Sequence, residues 1–289
     1  MSVPELYPSP SSVSSVVSAL RSAGCVFAED EADLLISAAR DHHELAAMVE
    51  RRVVGLPLEH VLGWAEFCGV RVAVDPGVFV PRRRSEFLVA RAIALAPPRP
   101  VVVDLCCGSG ALGAAVLRAA GAGELHAADI EPAAVRCARR NVEPVGGRVH
   151  EGDLYDPLPA ALAGRVDVLI ANAPYVPTGE IGLLPSEARD FEPLVALDGG
   201  ADGLDIQRRV TARAGRWLAP GGSLLIETSE RQAPATVAAF TRHGLETEVA
   251  VCADLDATVV IGTRPRHHDG ADGARAGRPG GRHGGAPGR

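Results

Sequence analysis

Lysine is absent from this sequence of 289 residues, so all 29 basic side chains are arginines. Alanine, glycine and proline are abundant at the same time, and we interpret the missing lysine as a bias of composition without functional meaning. Hydrophobic residues make up 47% and charged residues 22%, which is typical of globular proteins. The length predicts one main domain, one smaller domain and unstructured ends.

Long apolar segments are also missing. No hydrophobic run approaches the roughly 18 residues that a membrane-spanning helix requires. The N-terminal segment MSVPELYPSPSSVSS lacks both a basic stretch and a continuous apolar stretch, so it does not predict a secretory signal. We therefore expect a cytoplasmic protein that does not bind membranes.

The cysteines show neither the spacing of a metal site nor that of a disulfide framework. None forms a CxxC pair, and no cysteine and histidine stand at ligand spacing. We expect reduced thiols and no bound metal. The six residues are Cys25, Cys68, Cys106, Cys107, Cys137 and Cys252.

An excess of positive charge is lacking too, since the formal net charge at pH 7 is −7. Proteins that bind long nucleic acids depend on a positive field around phosphate contacts. The charge therefore argues against direct binding of nucleic acid. Arg82, Arg83 and Arg84 could attract an acidic or nucleic-acid surface, although an arginine run is more often a solvated loop.

The two ends of the chain differ in pattern. Apolar residues recur at helical spacing between Ser11 and about Gly55, which predicts a small helical domain over residues 1–65. Residues 264–289 consist mainly of glycine, arginine, proline, histidine and aspartate without apolar periodicity. This composition predicts a disordered tail.

A β-hairpin is predicted between the helical domain and the rest of the chain. From Glu66 the apolar residues alternate with polar ones, and Asp75-Pro76-Gly77 then reads as a turn before another apolar stretch. We expect a hairpin over residues 66–80 with its turn at residues 75–77.

Strand-like and helix-like segments alternate from Pro100 onward, which predicts a parallel sheet with helices on both faces in a main domain over residues 81–263. The last two strands have no helix between them, so they should pair antiparallel, and one should insert into the sheet. The expected fold is α/β and Rossmann-like, with a mainly parallel seven-stranded sheet. The predicted strands are Val101–Leu105, Glu124–Asp129, Arg148–Glu151, Val166–Ala171, Ser223–Glu227, Glu246–Val251 and Thr258–Ile261. The predicted helices are Ala111–Ala119, Pro132–Asn141, Leu204–Trp217 and Arg231–His243.

A glycine-rich turn follows the first of these strands, in the segment VVVDLCCGSG at residues 101–110. Glycine permits positive φ angles and allows a ligand to approach the backbone closely. Gly108, Gly110 and Gly113 also spell GxGxxG, so a nicotinamide- or flavin-dependent oxidoreductase is an alternative. The match alone is weak support for either reading.

Two aspartates follow the next strands. Asp129 ends the second strand about 20 residues after the glycine turn, where a carboxylate can accept both ribose hydroxyls of a nucleoside. Asp153 follows the third strand, where an adenine amino group could donate to it, although a solvated loop aspartate is equally common. These positions predict a cofactor that contains a nucleoside.

The segment Asn172-Ala-Pro-Tyr175 directly follows an apolar strand. Ligands of open α/β sheets bind at the carboxyl ends of strands, so this loop should lie beside the glycine turn. The Asn172 side-chain oxygen and the Ala173 carbonyl can accept from a substrate NH2 group and turn its nitrogen toward a methyl donor. Pro174 holds Ala173 extended, and Tyr175 can pack against the flat amide. Because an amide nitrogen is a poor nucleophile, positioning must supply most of the catalysis.

These residues resemble the HemK/PrmC family, the protein-(glutamine-N5) methyltransferases that modify a glutamine in peptide-chain release factors. The similarity covers about residues 57–262, and its blocks follow one another in the family's order. The blocks are Pro57–Gly63 with Glu66-Phe67, Pro81-Arg82 with Ser85-Glu86, Asp104-Leu105 with Gly108–Gly110, Asp129, Asn172–Tyr175, Arg189–Leu197 and Gly200–Leu204.

The resemblance implies a Rossmann-like methyltransferase with S-adenosyl-L-methionine as cofactor and a peptide-chain release factor as partner. It implies that the loop of Asn172, Ala173, Pro174 and Tyr175 grips the glutamine amide. It implies cofactor contacts from a larger set. That set is Asp104, Cys106, Cys107, Gly108, Ser109, Gly110, Asp129, Asp153, Leu154 and Asn172.

Three departures from the family pattern suggest a divergent branch. Ala173 stands where the family usually has proline, and Cys106 stands where it has the first glycine of the turn. A glycine and an arginine expected in the final hairpin are missing from residues 254–258. Methylation of an exocyclic base amine in RNA or DNA, methylation of a small metabolite, the oxidoreductase and a cofactor-binding protein without catalysis stay open as alternatives.

Overall fold

The computed structural model describes residues 10–266. Its N-terminal part consists of four helices. Their apolar faces pack into one core around Leu20, Leu35 and Met48, as the helical spacing predicted. Residues 1–9 and 267–289, which belong to the predicted helical domain and tail, lie outside the described residues. The helices are α1 (Pro10–Ser22), α2 (Ala28–Ala38), α3 (His42–Val53) and α4 (Leu58–Leu62).

A β-hairpin follows, but its turn is not where the sequence predicted. β1 (Trp64–Phe67) pairs antiparallel with β2 (Val70–Ala73). The connection is Cys68-Gly69, with φ angles of 49° and 72°. Two consecutive positive φ angles match the twist of a two-residue hairpin turn. The expected turn at residues 75–77 forms, but the chain beyond it does not pair as a strand.

The main sheet has seven strands in the order β5-β4-β3-β6-β7-β9-β8. β9 lies between β7 and β8 and is antiparallel to both, while the other neighbours are parallel. The predicted inserted strand and antiparallel ending are therefore confirmed. The strands are β3 (Val101–Leu105), β4 (Glu124–Asp129), β5 (Arg148–Glu151), β6 (Val166–Ala171), β7 (Leu218–Thr228), β8 (Glu246–Cys252) and β9 (Ala257–Thr263).

Helices cover both faces of the sheet and enclose two cores. α5, α6 and α7 pack on one face, and α9 and α10 pack on the other. α5 was not predicted, because its sequence SEFLVARAIAL is apolar on several sides and lacks a clear polar stripe. The helices are α5 (Ser85–Leu95), α6 (Ala111–Ala120), α7 (Pro132–Val142), α8 (Ser186–Phe191), α9 (Asp205–Trp217) and α10 (Ala233–Arg242).

Residues 10–266 contain no helix of the length and apolarity that a membrane crossing needs. In the same residues, no three histidine, cysteine, aspartate or glutamate side chains are grouped so that they could hold a metal ion. The six cysteines are free thiols.

The strand order reverses at β3, because β4 lies on one side of it and β6 on the other. Ligands of open α/β sheets bind outside the carboxyl ends of the strands at such a reversal. The glycine-rich turn after β3 and the Asn172 loop after β6 meet at this place.

Candidate active site

The turn after β3 is held by the neighbouring strand. The backbone N–H of Gly108 donates to Asp129 Oδ2 at 2.8 Å, and the N–H of Cys107 donates to the Ala128 carbonyl at 3.1 Å. Cys106 has a φ angle of 54°, a left-handed conformation that glycine adopts at little cost. Cys106 therefore takes a conformation that costs a non-glycine residue more than it would cost glycine.

Asp104 lies beneath the turn and is almost completely buried. Its Oδ2 accepts from the backbone N–H of Gly113 at 2.8 Å. Burial raises the pKa of Asp104 to about 7, although the Gly113 hydrogen bond opposes this. A Cβ atom on Gly113 would lie only 2.9 Å from that same oxygen, so glycine is required there for the carboxylate to approach the helix.

Gly110, in contrast, is a packing residue at the start of α6. It has a φ angle of 73°, and a Cβ atom there would lie 2.6 Å from Val142 Cγ2 and 3.2 Å from Ala138 Cβ. Gly110 does not line the cavity that the other predicted cofactor residues surround.

Asp129, at the end of β4, uses both carboxylate oxygens to hold the backbone. Oδ2 accepts from Gly108 and Oδ1 accepts from the N–H of Glu131 at 3.0 Å. Burial raises the pKa of Asp129, and these N–H donors oppose the rise. Each oxygen keeps a further lone pair, so the carboxylate can still accept from ribose hydroxyls.

Asp153 and Leu154 lie on the opposite side of the same space. Asp153 forms an ion pair with Arg209 of α9, and both residues line the cavity. Leu154 is buried and has a φ angle of 49°. Strained backbone of this kind is often found at functional sites.

These residues surround a cavity, which we call the first cavity, at the carboxyl ends of β3, β4 and β6. Its lining is mainly apolar, with a few carboxylates. Of the predicted cofactor residues, all except Gly110 line it, and Pro174 of the predicted catalytic loop does so too. The predicted cofactor residues in the lining are Asp104, Cys106, Cys107, Gly108, Ser109, Asp129, Asp153, Leu154 and Asn172.

A second cavity adjoins the first. Asn172 lines both cavities, whereas Ala173 and Tyr175 line only the second. The Asn172 side chain donates from Nδ2 to the Ser85 hydroxyl at 3.2 Å, and Ala173 is fully buried. The loop after β6 therefore stands between two spaces, with Asn172 at their junction.

The segment of residues 178–197, which we call the flap, covers both cavities. Two backbone hydrogen bonds join its ends: the Val176 N–H donates to the Leu197 carbonyl at 3.0 Å, and the Gly199 N–H donates to the Val176 carbonyl at 2.9 Å. Glu192 at the end of α8 accepts from the Val80 N–H at 3.1 Å and pairs with Arg82 at 2.6 Å.

A second ion pair, of 2.7 Å between Glu187 and Arg52 of α3, ties the flap to the N-terminal helices. Arg52 is itself buried and also pairs with Glu31 of α2 at 2.6 Å. The N-terminal helices are thus connected directly to the wall of the second cavity.

Several residues of the site were not predicted. The flap supplies Pro193, Val195 and Ala196 to the first cavity, and the loop before α5 supplies Val78 and Phe79. Both segments overlap blocks of the family resemblance, but no ligand contact was predicted for either. Ser85 and Glu227, which lie behind the Asn172 loop, were also missed as site residues.

The first cavity suits a cationic nucleoside. The ribose hydroxyls could donate hydrogen bonds to the Asp129 carboxylate, and the apolar side chains of the lining could pack against the base. The lining has more carboxyl groups (Asp104, Asp129, Glu131 and Asp153) than guanidinium groups (Arg209), which favours a ligand with net positive charge, as S-adenosylmethionine has. The residues present therefore fit this cofactor.

Comparison with known proteins identifies the chain. Residues 69–183 match the family model "Methyltransferase small domain". The release factor glutamine methyltransferase of Geobacter sulfurreducens is 38% identical over 206 residues, which cover 70% of this chain and 72% of that protein. The chain belongs to the release factor glutamine methyltransferase family. It is an S-adenosylmethionine-dependent methyltransferase, so the glycine turn does not indicate a dinucleotide-dependent oxidoreductase.

A relative with a different acceptor lies at a similar distance from this methyltransferase. The 4-amino-L-phenylalanine/4-methylamino-L-phenylalanine methyltransferase of Streptomyces pristinaespiralis is 37% identical over 203 residues, which cover 68% of this chain and 69% of that protein.

The fold agrees with solved methyltransferases. A methyltransferase from Pyrococcus furiosus matches 69% of this chain and 91% of its own with a TM-score of 0.53 at 14% identity. The Rossmann-like methyltransferase fold expected from the sequence is confirmed.

Proposed function

We propose that this methyltransferase acts on the side-chain amide nitrogen of a glutamine in a peptide-chain release factor. One observation carries the proposal: Asn172 lies where the first cavity opens into the second. A cofactor in the first cavity and an amide in the second would meet at this side chain.

When bound, S-adenosylmethionine supplies an electrophilic methyl group on a sulfonium centre. The protein's task is to hold a weak nucleophile against it. The Asn172 side-chain oxygen and the Ala173 carbonyl accept from the two amide hydrogens, which fixes the plane of the acceptor. Orientation of this kind can contribute several kcal/mol, about 7–11 kcal/mol in favourable intramolecular reactions.

The second cavity suits a flat amide on a flexible side chain. Tyr175 and Phe79 offer aromatic surfaces, and Leu184, Ala188 and Leu197 offer small apolar ones. Burial raises the pKa of the Tyr175 phenol, so it stays protonated and neutral. We place the activity in the cytoplasm, where release factors work.

The direct test is transfer to a purified release factor. Incubation with S-adenosylmethionine should add the mass of one CH2 group, and fragmentation should locate it on a glutamine side chain. A release factor in which that glutamine is replaced by alanine is the matched control. Methylation of the alanine variant at the same level would refute the proposal.

A second acceptor class is suggested by the relative named for the methylation of 4-amino-L-phenylalanine. An aromatic amine is also planar and conjugated, so the same pair of oxygens could orient it. The assay is repeated with 4-amino-L-phenylalanine in place of the release factor. Turnover of the amino acid without turnover of the release factor would favour this class.

A further inference from the structure

A buried network of polar side chains lies behind Asn172. Ser85, the first residue of α5, is fully buried and accepts from Asn172 Nδ2 at 3.2 Å. Glu227, near the carboxyl end of β7, is only 2% exposed, and its Oε1 accepts from the Tyr175 hydroxyl at 3.3 Å. Ser85 and Glu227 therefore contact the two ends of the Asn172–Tyr175 loop.

Glu227 Oε2 is the unexplained atom of this network, because it is buried and has no hydrogen-bond partner among the described residues. An unsatisfied buried acceptor normally has a reason. The Ser85 hydroxyl is a neighbouring donor, and it stabilises the charged carboxylate. Its hydrogen can rotate toward Oε2, while its lone pair receives the Asn172 amide.

The charge state of Glu227 decides the direction of the hydrogen bonds in this network. When the carboxylate is ionised it only accepts hydrogen bonds, so a Ser85 hydroxyl that bonds to it points its single hydrogen toward Glu227. Ser85 can then only accept from Asn172, and Nδ2 must face it. The Asn172 side-chain oxygen is thereby turned away from Ser85.

We propose that Ser85 and Glu227 are positioning residues that fix which end of the Asn172 amide faces the acceptor. The inference rests on the proposed function, since an acceptor NH2 group requires an oxygen from Asn172 at that place. A flipped Asn172 would present its own NH2 group, and two donors would face each other. Neither Ser85 nor Glu227 needs to touch the acceptor for this role.

Protonation of Glu227 would reverse the direction of the hydrogen bonds between Glu227, Ser85 and Asn172. A protonated carboxyl can donate to Ser85, and the Ser85 hydrogen would then turn to Asn172 and favour the flipped amide. Burial raises the pKa of Glu227, while Ser85, Arg84 and Tyr175 lower it. The charged and titratable groups that face Glu227 are Arg84 and Tyr175, and its partner on β9 is Val259, which does not titrate. Activity should therefore fall on the acid side as Glu227 takes up a proton.

The test compares Ser85→Ala with Ser223→Ala. Ser223 is also a buried serine with a side-chain partner, Thr263 at 2.9 Å, but it lies in β7 away from the Asn172 loop. With a release factor as acceptor, Ser85→Ala should lower kcat/KM at least about tenfold, and Ser223→Ala should leave it within about twofold. The dissociation constant for S-adenosylhomocysteine should not change in either variant, and Ser85→Thr should restore most of the activity.

The pH profile separates positioning from a loss of packing. In Glu227→Gln, whose charge cannot change, the part of the acid limb of kcat/KM that Glu227 causes should be lost, while Asp104 and Asp129 of the cofactor site still titrate. Equal kcat/KM in Ser85→Ala and Ser223→Ala, or an unchanged acid limb in Glu227→Gln, would overturn the proposal.

A measurement without acceptor keeps this inference separate from the proposed function. The side-chain NH2 signal of Asn172, assigned by its loss in Asn172→Ala, should exchange with water more slowly in the wild-type protein than in Ser85→Ala. Equal exchange rates would overturn the positioning role. Slow exchange in a wild-type protein that fails to methylate the release factor would instead count against the proposed acceptor.

Discussion

Gly108 and Asp129 are 21 positions apart in the sequence and are joined by a hydrogen bond of 2.8 Å from the Gly108 N–H to the Asp129 carboxylate. The bond ties the glycine turn after β3 to the end of β4. The carboxylate that is expected to hold the ribose therefore also shapes the turn.

Asp129→Asn should weaken cofactor binding, because it removes the carboxylate expected to hold the ribose and also disturbs the glycine turn. An amide has only one oxygen, so either Gly108 or Glu131 would face an NH2 group, and the charge would be lost. Hydrogen bonds to charged groups contribute about 1.5–3 kcal/mol, which predicts a loss of affinity on the order of tenfold to a hundredfold. Calorimetric titration with S-adenosylhomocysteine measures it.

Asp156→Asn is the matched control for this variant. Asp156 is an exposed carboxylate that pairs with Arg213 and does not line the first cavity. Its replacement should leave the affinity unchanged, and equal affinity in the two variants would show that Asp129 does not contact the cofactor.

Asp104 should give the stability a pH dependence. Its pKa of about 7 in the folded protein exceeds its ordinary value of 3.8, so between these pH values the folded state holds a proton that the unfolded state has released. Stability from this group is therefore present below about pH 4 and is lost as the pH rises through 7. The melting temperature of Asp104→Asn relative to wild type should rise between pH 5 and pH 8. A difference that stays constant over this range would contradict the buried carboxylate.

The two glycines at the ends of α6 form a natural comparison for stability. Gly110 and Gly121 have similar φ angles of 73° and 70°, but a Cβ atom at Gly121 would meet nothing within 4 Å. Gly121→Ala should cost about 1–2 kcal/mol for its left-handed conformation alone. Gly110→Ala should cost about 1–3 kcal/mol more, because it crowds Val142 and Ala138. Urea denaturation would measure the free energy of unfolding of both variants. Equal losses would mean that residue 110 is not closely packed against Val142 and Ala138.

The Glu192 carboxylate should hold the flap closed over both cavities. Its side chain is fully buried, and Glu192→Ala would leave the Val80 N–H and Arg82 without this partner. Because Arg82 is partly exposed, we expect a moderate loss of about 1–3 kcal/mol, with weaker binding of cofactor and acceptor together. Asp190→Ala, which removes an exposed carboxylate of α8, is the control. Similar kinetics in both variants would argue against a clamping role for Glu192.

Much of the sheet could be predicted from the sequence. β3, β4, β5 and β6 begin and end at the predicted residues. Glycines bound β5 on both sides, Gly123 precedes β4 and Asn172 follows β6, which marked these ends in the sequence. α5 was missed because a helix buried on several sides loses its polar stripe. The hairpin turn was misplaced because Asp75-Pro76-Gly77 is a stronger turn signal than Cys68-Gly69.

The candidate site could be predicted where it follows the ends of strands. Asp129 and Asn172 were found in this way, and both line the first cavity. Ser85 and residues 189–197 of the flap stood in the family blocks but were given no place in the site, because they reach it through tertiary packing and not through their place in the strand pattern. Glu227 was placed at the end of a predicted strand, but nothing in the sequence connects it to Asn172.

The central claim is that the side-chain oxygen of Asn172 and the bound cofactor face the same small space. A crystal structure of the complex with S-adenosylhomocysteine tests this most directly. We predict that the sulfur lies at the junction of the two cavities, with Asn172 still bonded to Ser85 and its free end toward the sulfur. An Asn172 side chain turned toward solvent, with the sulfur elsewhere, would contradict the account.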